Sequence, residues 1–167
     1  DSWDGPYQGG DFGYAQDPTA AVRCYIHGDA LYVSHEAGGR GIELDAIGQR
    51  VCDEIPEFDR YISRWDSASP GSISITTRSG LPKATGAPKW QGSVEDGIRF
   101  LRSFKEIVIH PRCKSTINEA RLYSYKVDRL TGDVLPILVD ANNHYIDAIR
   151  YAVSPMIKRT AYNIRNA

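Results

Sequence analysis

The stretch "AAVRCYIHGDALYVSHEAG", residues 20–38, constrains the fold more than any other in the chain. Two runs rich in Val, Ile, Leu and Tyr flank Gly28–Asp29, a pair suited to a tight turn. The pattern predicts a β-hairpin. A lone hairpin is at best marginally stable in water, so the rest of the chain must add strands and cover the apolar face. Ahead of it, "YQGGDFGYAQDPTA" reads as an extended segment ending in turn residues. After it, "IELDAIGQRVCDEI" has helical spacing through Ile42, Ala46, Ile47 and Cys52. "YISRWDSASPG" reads as a strand running into a loop. "SISITTRSG" is ambiguous: β-branched residues favour a strand, while the Ser-Pro-Gly lead-in suits a helix.

The second half alternates. "SVEDGIRFLRSF" predicts an amphipathic helix capped by Ser93, and "EIVIHP" a short buried strand closed by Pro111. "STINEARLYSY" is helical. "YKVDRLTGDVLPILVD" has strand character on both sides of "LTGD", which predicts a second hairpin. In "NNHYIDAIRYA", Tyr145, Ala148, Ile149 and Ala152 form one stripe at i, i+3, i+4, i+7, with Asn142 or Asn143 as cap. Asn143, His144, Asp147 and Tyr151 then share the other side. Strands in a meander, followed by strands alternating with helices, predict an α/β (α+β-like) domain with a mixed sheet.

The chain has 167 residues, the length of one domain, and its 41% hydrophobic fraction fits a soluble globular protein. No apolar run is long enough to span a bilayer, and nothing reads as a signal peptide. Cys24, Cys52 and Cys113 are far apart and in no CxxC pair, which argues against a disulfide framework or a zinc cluster and for a reducing compartment. The net charge of −1 leaves no basic footprint for nucleic acid. An acidic metal site would cancel a basic groove, so DNA binding stays open.

Three acids stand where chemistry is plausible: Asp11 among the glycines of "GGDFG", Asp66 at the end of an apolar strand, and Asp147 on the terminal helix. A lone helix Asp is ordinarily a solvated charge. Crowded carboxylates repel one another, and a divalent cation relieves the repulsion. Oxygen-only ligands suit Mg²⁺ or Mn²⁺, and two such ions about 4 Å apart promote phosphodiester cleavage.

"GGDFGYAQDPTAAV", "RWDSASPGSI", "GAPKWQGSVEDGIRFL" and "NNHYIDAIRYA", in that order, resemble the nuclease domain of large terminase subunits, the DNA-packaging motors of tailed bacteriophages. The pattern is similar above all to that of headful-packaging phages. The resemblance implies a ribonuclease H-like fold over residues 1–167, with the predicted hairpin as an addition before the last helix. It implies metal ligands at Asp11, Asp66 and Asp147, with His144 matching a family position near the metals. Lys89 is a candidate DNA-phosphate contact, and Asp17 and Asp140 are turn residues that could support the site from outside. The implied partners are double-stranded DNA, held weakly and with steep salt dependence, the portal protein, the small terminase subunit, and an ATPase domain of the same full-length chain. No GxxxxGK[ST] loop occurs in these residues, so ATP chemistry is expected outside them. The implied place of work is the procapsid in the host cytoplasm. Alternatives are another ribonuclease H-like enzyme, such as a resolvase or integrase core, and a non-catalytic docking module.

Overall fold

The computed structural model describes residues 2–123 and 125–159. Its first three strands, β1 (Asp4–Asp11), β2 (Thr19–His27) and β3 (Ala30–Gly39), form an antiparallel meander. The Gly28–Asp29 turn closes the predicted hairpin, with His27 opposite Ala30. Three short strands then add in parallel: β4 (Ser63–Trp65) beside β1, β5 (Ala84–Gly86) beside β4, and β6 (Glu106–Ile109) beside β3. The sheet order is β5-β4-β1-β2-β3-β6. A separate pair, β7 (Tyr125–Val127) and β8 (Val134–Leu138), makes the second hairpin.

The helices are α1 (Ile47–Glu54), α2 (Pro70–Arg78), α3 (Ser93–Arg102), α4 (Lys114–Leu122) and α5 (His144–Ala152). The ambiguous "SISITTRSG" is therefore helical: Pro70 sits at its first turn, where a missing N–H costs nothing. The mixed sheet has cores on both faces. One joins Ala20, Val22, Leu31 and Val33 to α5; the other joins Ala21, Ala37, Phe58 and Trp65 to α1. Consecutive residues of β2 divide between them, as a period of two requires.

Several local expectations are corrected. Helix α1 begins at Ile47, so Ile42 lies before it and packs from a loop. Ser93 does not cap α3; Gly92, at φ 84°, holds that position with no side-chain cap. β6 is largely exposed, because it lies at the sheet edge; Ile109 alone of its residues is partly buried. Helix α5 is buried nearly all round, with Ile146, Arg150 and Tyr151 covered as well as the apolar stripe. Asn143 sits at its cap position, but its amide donates to Asp140 Oδ1 at 3.1 Å instead of capping. Cys24, Cys52 and Cys113 are free thiols.

Candidate metal centre

The site is built on two glycines. Alternation along β1 sends Gly9 and Asp11 to the α5 face and Gly10 to the other. A Cβ on Gly9 would lie 2.1 Å from the carbonyl oxygen of Ala148 and 2.5 Å from the amide nitrogen of Ala152, so the backbone of α5 lies directly on β1. A Cβ on Gly10 would strike the Trp65 ring at 2.3 Å. What approaches the glycines is the protein's own helix and indole. Seated this way, α5 carries Asp147 over the end of β1. Parallel pairing supplies the third acid: Gly10 aligns with Trp65, so Asp66 follows beside Asp11 at the same end of the sheet.

The acids sense one another. Burial, then the charge of Asp147, push the Asp11 carboxyl up to about 7; Asp66 adds to the rise, and the hydrogen bond and charge of His144 oppose it. Burial followed by the charges of Asp147 and Asp66 also drives the Tyr151 phenol well above its usual range. Tyr151, one turn beyond Asp147, is buried within reach of the charges of these acids.

Each acid also holds a basic group. His144 Nδ1 lies 3.2 Å from Asp11 Oδ2, and its Nε2 lies 3.3 Å from Asp17 Oδ1. Lys89 pairs with Asp66 Oδ1, which also accepts the Ala68 amide at 2.9 Å. Arg150 grips Asp147 Oδ1 through Nη2 at 2.7 Å and Nε at 3.2 Å. Arg150 has room because the facing residue of α3 is Gly97, where a Cβ would lie 2.9 Å from its Cδ. Turned onto these partners, the carboxylates form no ready-made cage: among the described residues no three His, Cys, Asp or Glu side chains are gathered to hold a metal ion. The donor set nevertheless fits a hard divalent cation. One oxygen of each acid carries the contacts above; the other, Oδ1 of Asp11, Oδ2 of Asp66 and Oδ2 of Asp147, accepts no hydrogen bond among the described residues.

Asp11, Asp66 and Asp147 lie at one end of the sheet, near enough for the charges of Asp147 and Asp66 to act on Asp11, and His144 touches Asp11, but the three carboxylates are not gathered into a metal cluster. The structure sets Lys89 on Asp66, 5.8 Å above the Tyr151 ring, and draws Asp17 to His144. Asp140 stays in its turn with Asn143. Arg150, Tyr151 and Glu119 were missed. The i, i+3 spacing of Asp147 and Arg150 was a usable signal for the first; nothing local marks Glu119, which reaches α5 from another helix.

The family model for the terminase RNaseH-like domain matches residues 11–155, a span that includes all three acids. The chain belongs to the terminase RNaseH-like domain family. This terminase domain is 35% identical over 156 residues to the large terminase subunit of Bacillus phage SPP1, covering 91% of the chain and 36% of that protein. The chain thus spans about a third of its relative's length. In structure it is similar to the large terminase nuclease domain of bacteriophage SPP1, solved with bound Mn: TM-score 0.80, 33% identity, 90% of this chain and 85% of that one. The P22 large terminase nuclease domain shares the fold, at TM-score 0.70 and 18% identity over 89% of this chain and 79% of that one. No helix among the described residues is long and apolar enough to cross a membrane.

Proposed function

We propose that this terminase domain is a Mg²⁺- or Mn²⁺-dependent DNA endonuclease, the nuclease part of a large terminase subunit, which cuts concatemeric viral DNA when genome packaging begins and ends. The observation that carries the reading is the placement of Asp11, Asp66 and Asp147 at one end of the sheet, where the charges of Asp147 and Asp66 add to burial in raising the Asp11 carboxyl. The relative solved with Mn supports a divalent cation.

Asp11 and Asp66 present oxygens from neighbouring strands, and Asp147 closes the site from the helix. Asp11, Asp66 and Asp147 would hold divalent ions there, and two of them would supply water activation and stabilisation of the leaving oxygen. Arg150 keeps Asp147 Oδ1 occupied and so aims its other oxygen at the site. His144, tied to Asp11, orients a water or touches the scissile phosphate. Lys89 steadies Asp66 and, 41% exposed, reaches a DNA phosphate. Residues 1–167 act as one ribonuclease H-like domain of a longer chain whose ATPase lies elsewhere. Its partners are the portal protein and the small terminase subunit, at the procapsid in the host cytoplasm. With a net charge of −1, DNA binding is weak and depends steeply on salt.

Plasmid nicking with Mn²⁺, Mg²⁺ or chelator tests the reading. Supercoiled DNA is expected to relax with either ion and to stay intact in chelator. Mn²⁺ at a hundred times its Kd is expected to stabilise the fold by about 2.7 kcal/mol. Cleavage in chelator, or melting that ignores both ions, overturns the proposal.

A further inference from the structure

Helix α5 carries Asp147 and His144, yet its own sequence does not cap it. The carboxylate of Glu119, on α4, does. Its Oε1 accepts the backbone N–H of His144 at 3.1 Å, and its Oε2 accepts those of Tyr145 at 2.7 Å and Ile146 at 3.1 Å. Glu119 is 7% exposed, so these bonds are shielded from water. The arrangement repeats one step earlier. Glu36, on β3, accepts the amides of Ser115 at 2.9 Å and Thr116 at 2.8 Å, and the Thr116 hydroxyl at 2.7 Å, at the N-terminus of α4. Two long-range carboxylate caps in series therefore tie the sheet to α4 and α4 to α5. The chain of contacts ends on Asp11, through His144 Nδ1.

We infer that Glu119 is a positioning residue for the metal centre: by seizing the first amides of α5 it sets where that helix stops along its axis, and with it the spacing between Asp147 and Asp11, while Glu36 anchors the helix that carries it. At Gly9 the helix lies on backbone with no interlocking side chain, so the hold on its first turn helps to set its position along the axis. The inference rests on the nuclease reading above. A purely structural cap would lower stability and leave the folded site unchanged; a positioning cap changes the site itself.

The test is Mn²⁺ titration by calorimetry, well below each protein's melting temperature, for the parent, Glu119→Gln, Glu119→Ala and Glu36→Gln, with plasmid nicking beside it. Glu119→Ala is expected to weaken Mn²⁺ binding at least about tenfold, the usual scale for groups that support metal ligands. Glu119→Gln keeps the shape but only one accepting oxygen, and is expected to fall measurably below the parent while binding more tightly than Glu119→Ala. Glu36→Gln, one step further out, is expected to lose about two- to threefold, below the range seen for immediate supports of a ligand. If Glu119→Ala does not fold, Glu119→Gln decides: a measurable loss of affinity in folded protein upholds the inference, and parental affinity overturns it. Folded Glu119→Ala that melts lower but binds Mn²⁺ as the parent does also overturns it. A parent that binds no Mn²⁺ removes the nuclease reading and this inference together.

Discussion

The two faces of the central sheet are packed by different means. On the α1 face, side chains fill the space: Ile47 and Val51 from the helix and Ile55 just past its end meet Phe58 and Trp65, all nearly or fully buried. On the α5 face, the helix lies backbone to backbone on β1 at Gly9, with only alanines, Ala148 and Ala152, at the contact. A side-chain interface yields when an atom is removed, because neighbours relax partly into the gap. A backbone interface cannot accept an added atom without moving the helix. All the candidate chemistry sits at the second kind of interface. The difference teaches that both faces carry an apolar core, and that the α5 face adds one backbone contact, at Gly9, which seats the helix bearing Asp147.

Gly9→Ala tests that contrast most severely. The new methyl would fall 2.1 Å from the Ala148 carbonyl oxygen, so α5 must lift. A loss of about 3 kcal/mol or more is expected in denaturant melts, at the upper end for overpacking, and folded protein should neither bind Mn²⁺ nor nick DNA. Ile47→Ala, on the other face, is expected to lose about 3 kcal/mol as well, while its folded fraction binds Mn²⁺ normally. Equal losses of metal affinity in both variants would erase the distinction between the faces.

Asp147→Asn comes next. Nicking is expected to fall at least about 100-fold, since a metal ligand and its charge are removed. The change relieves repulsion with Asp11 but also weakens the grip on buried Arg150, so the metal-free protein should lose about 1–2 kcal/mol. A solvated helix acid would show neither effect.

Lys89→Ala should be gentler. As one phosphate contact it is expected to lower the salt slope of DNA binding by about one, with stability changed by less than about 1 kcal/mol, because the pair with Asp66 is partly solvated. An unchanged slope in a filter-binding or anisotropy series would leave Lys89 as a partner of Asp66 alone. The smallest effect is expected at the tip of the β7–β8 hairpin, outside both cores. Leu130 is 97% exposed, and Leu130→Ser should alter stability by less than about 0.5 kcal/mol. A larger change would mean that the hairpin packs against something in solution.

The meander, the α5 stripe and the strand before Asp66 were legible because each rests on local periodicity: alternation for β2 and β3, a spacing of three and four for Tyr145, Ala148, Ile149 and Ala152. The candidate acids and His144 stand out through motif order alone. The exposure of β6 was not legible, since "EIVIHP" reads the same at an edge as in the middle of a sheet and only strand order separates the two. Caps divided in the same way. Asn143 and Ser93 have the right chemistry at the right places, yet neither caps, because Glu119 reaches α5 first and Gly92 turns the chain into α3. The sequence by itself determined the element types, the apolar stripe of α5 and the identity of the acids, because those depend on residues a few positions apart. Only the tertiary structure decided what the glycines admit, which basic side chain each acid holds and what caps α5. Glu119 and His144 meet across 25 residues, and His144 and Asp11 across 133, and such contacts are made by packing that no local spacing encodes.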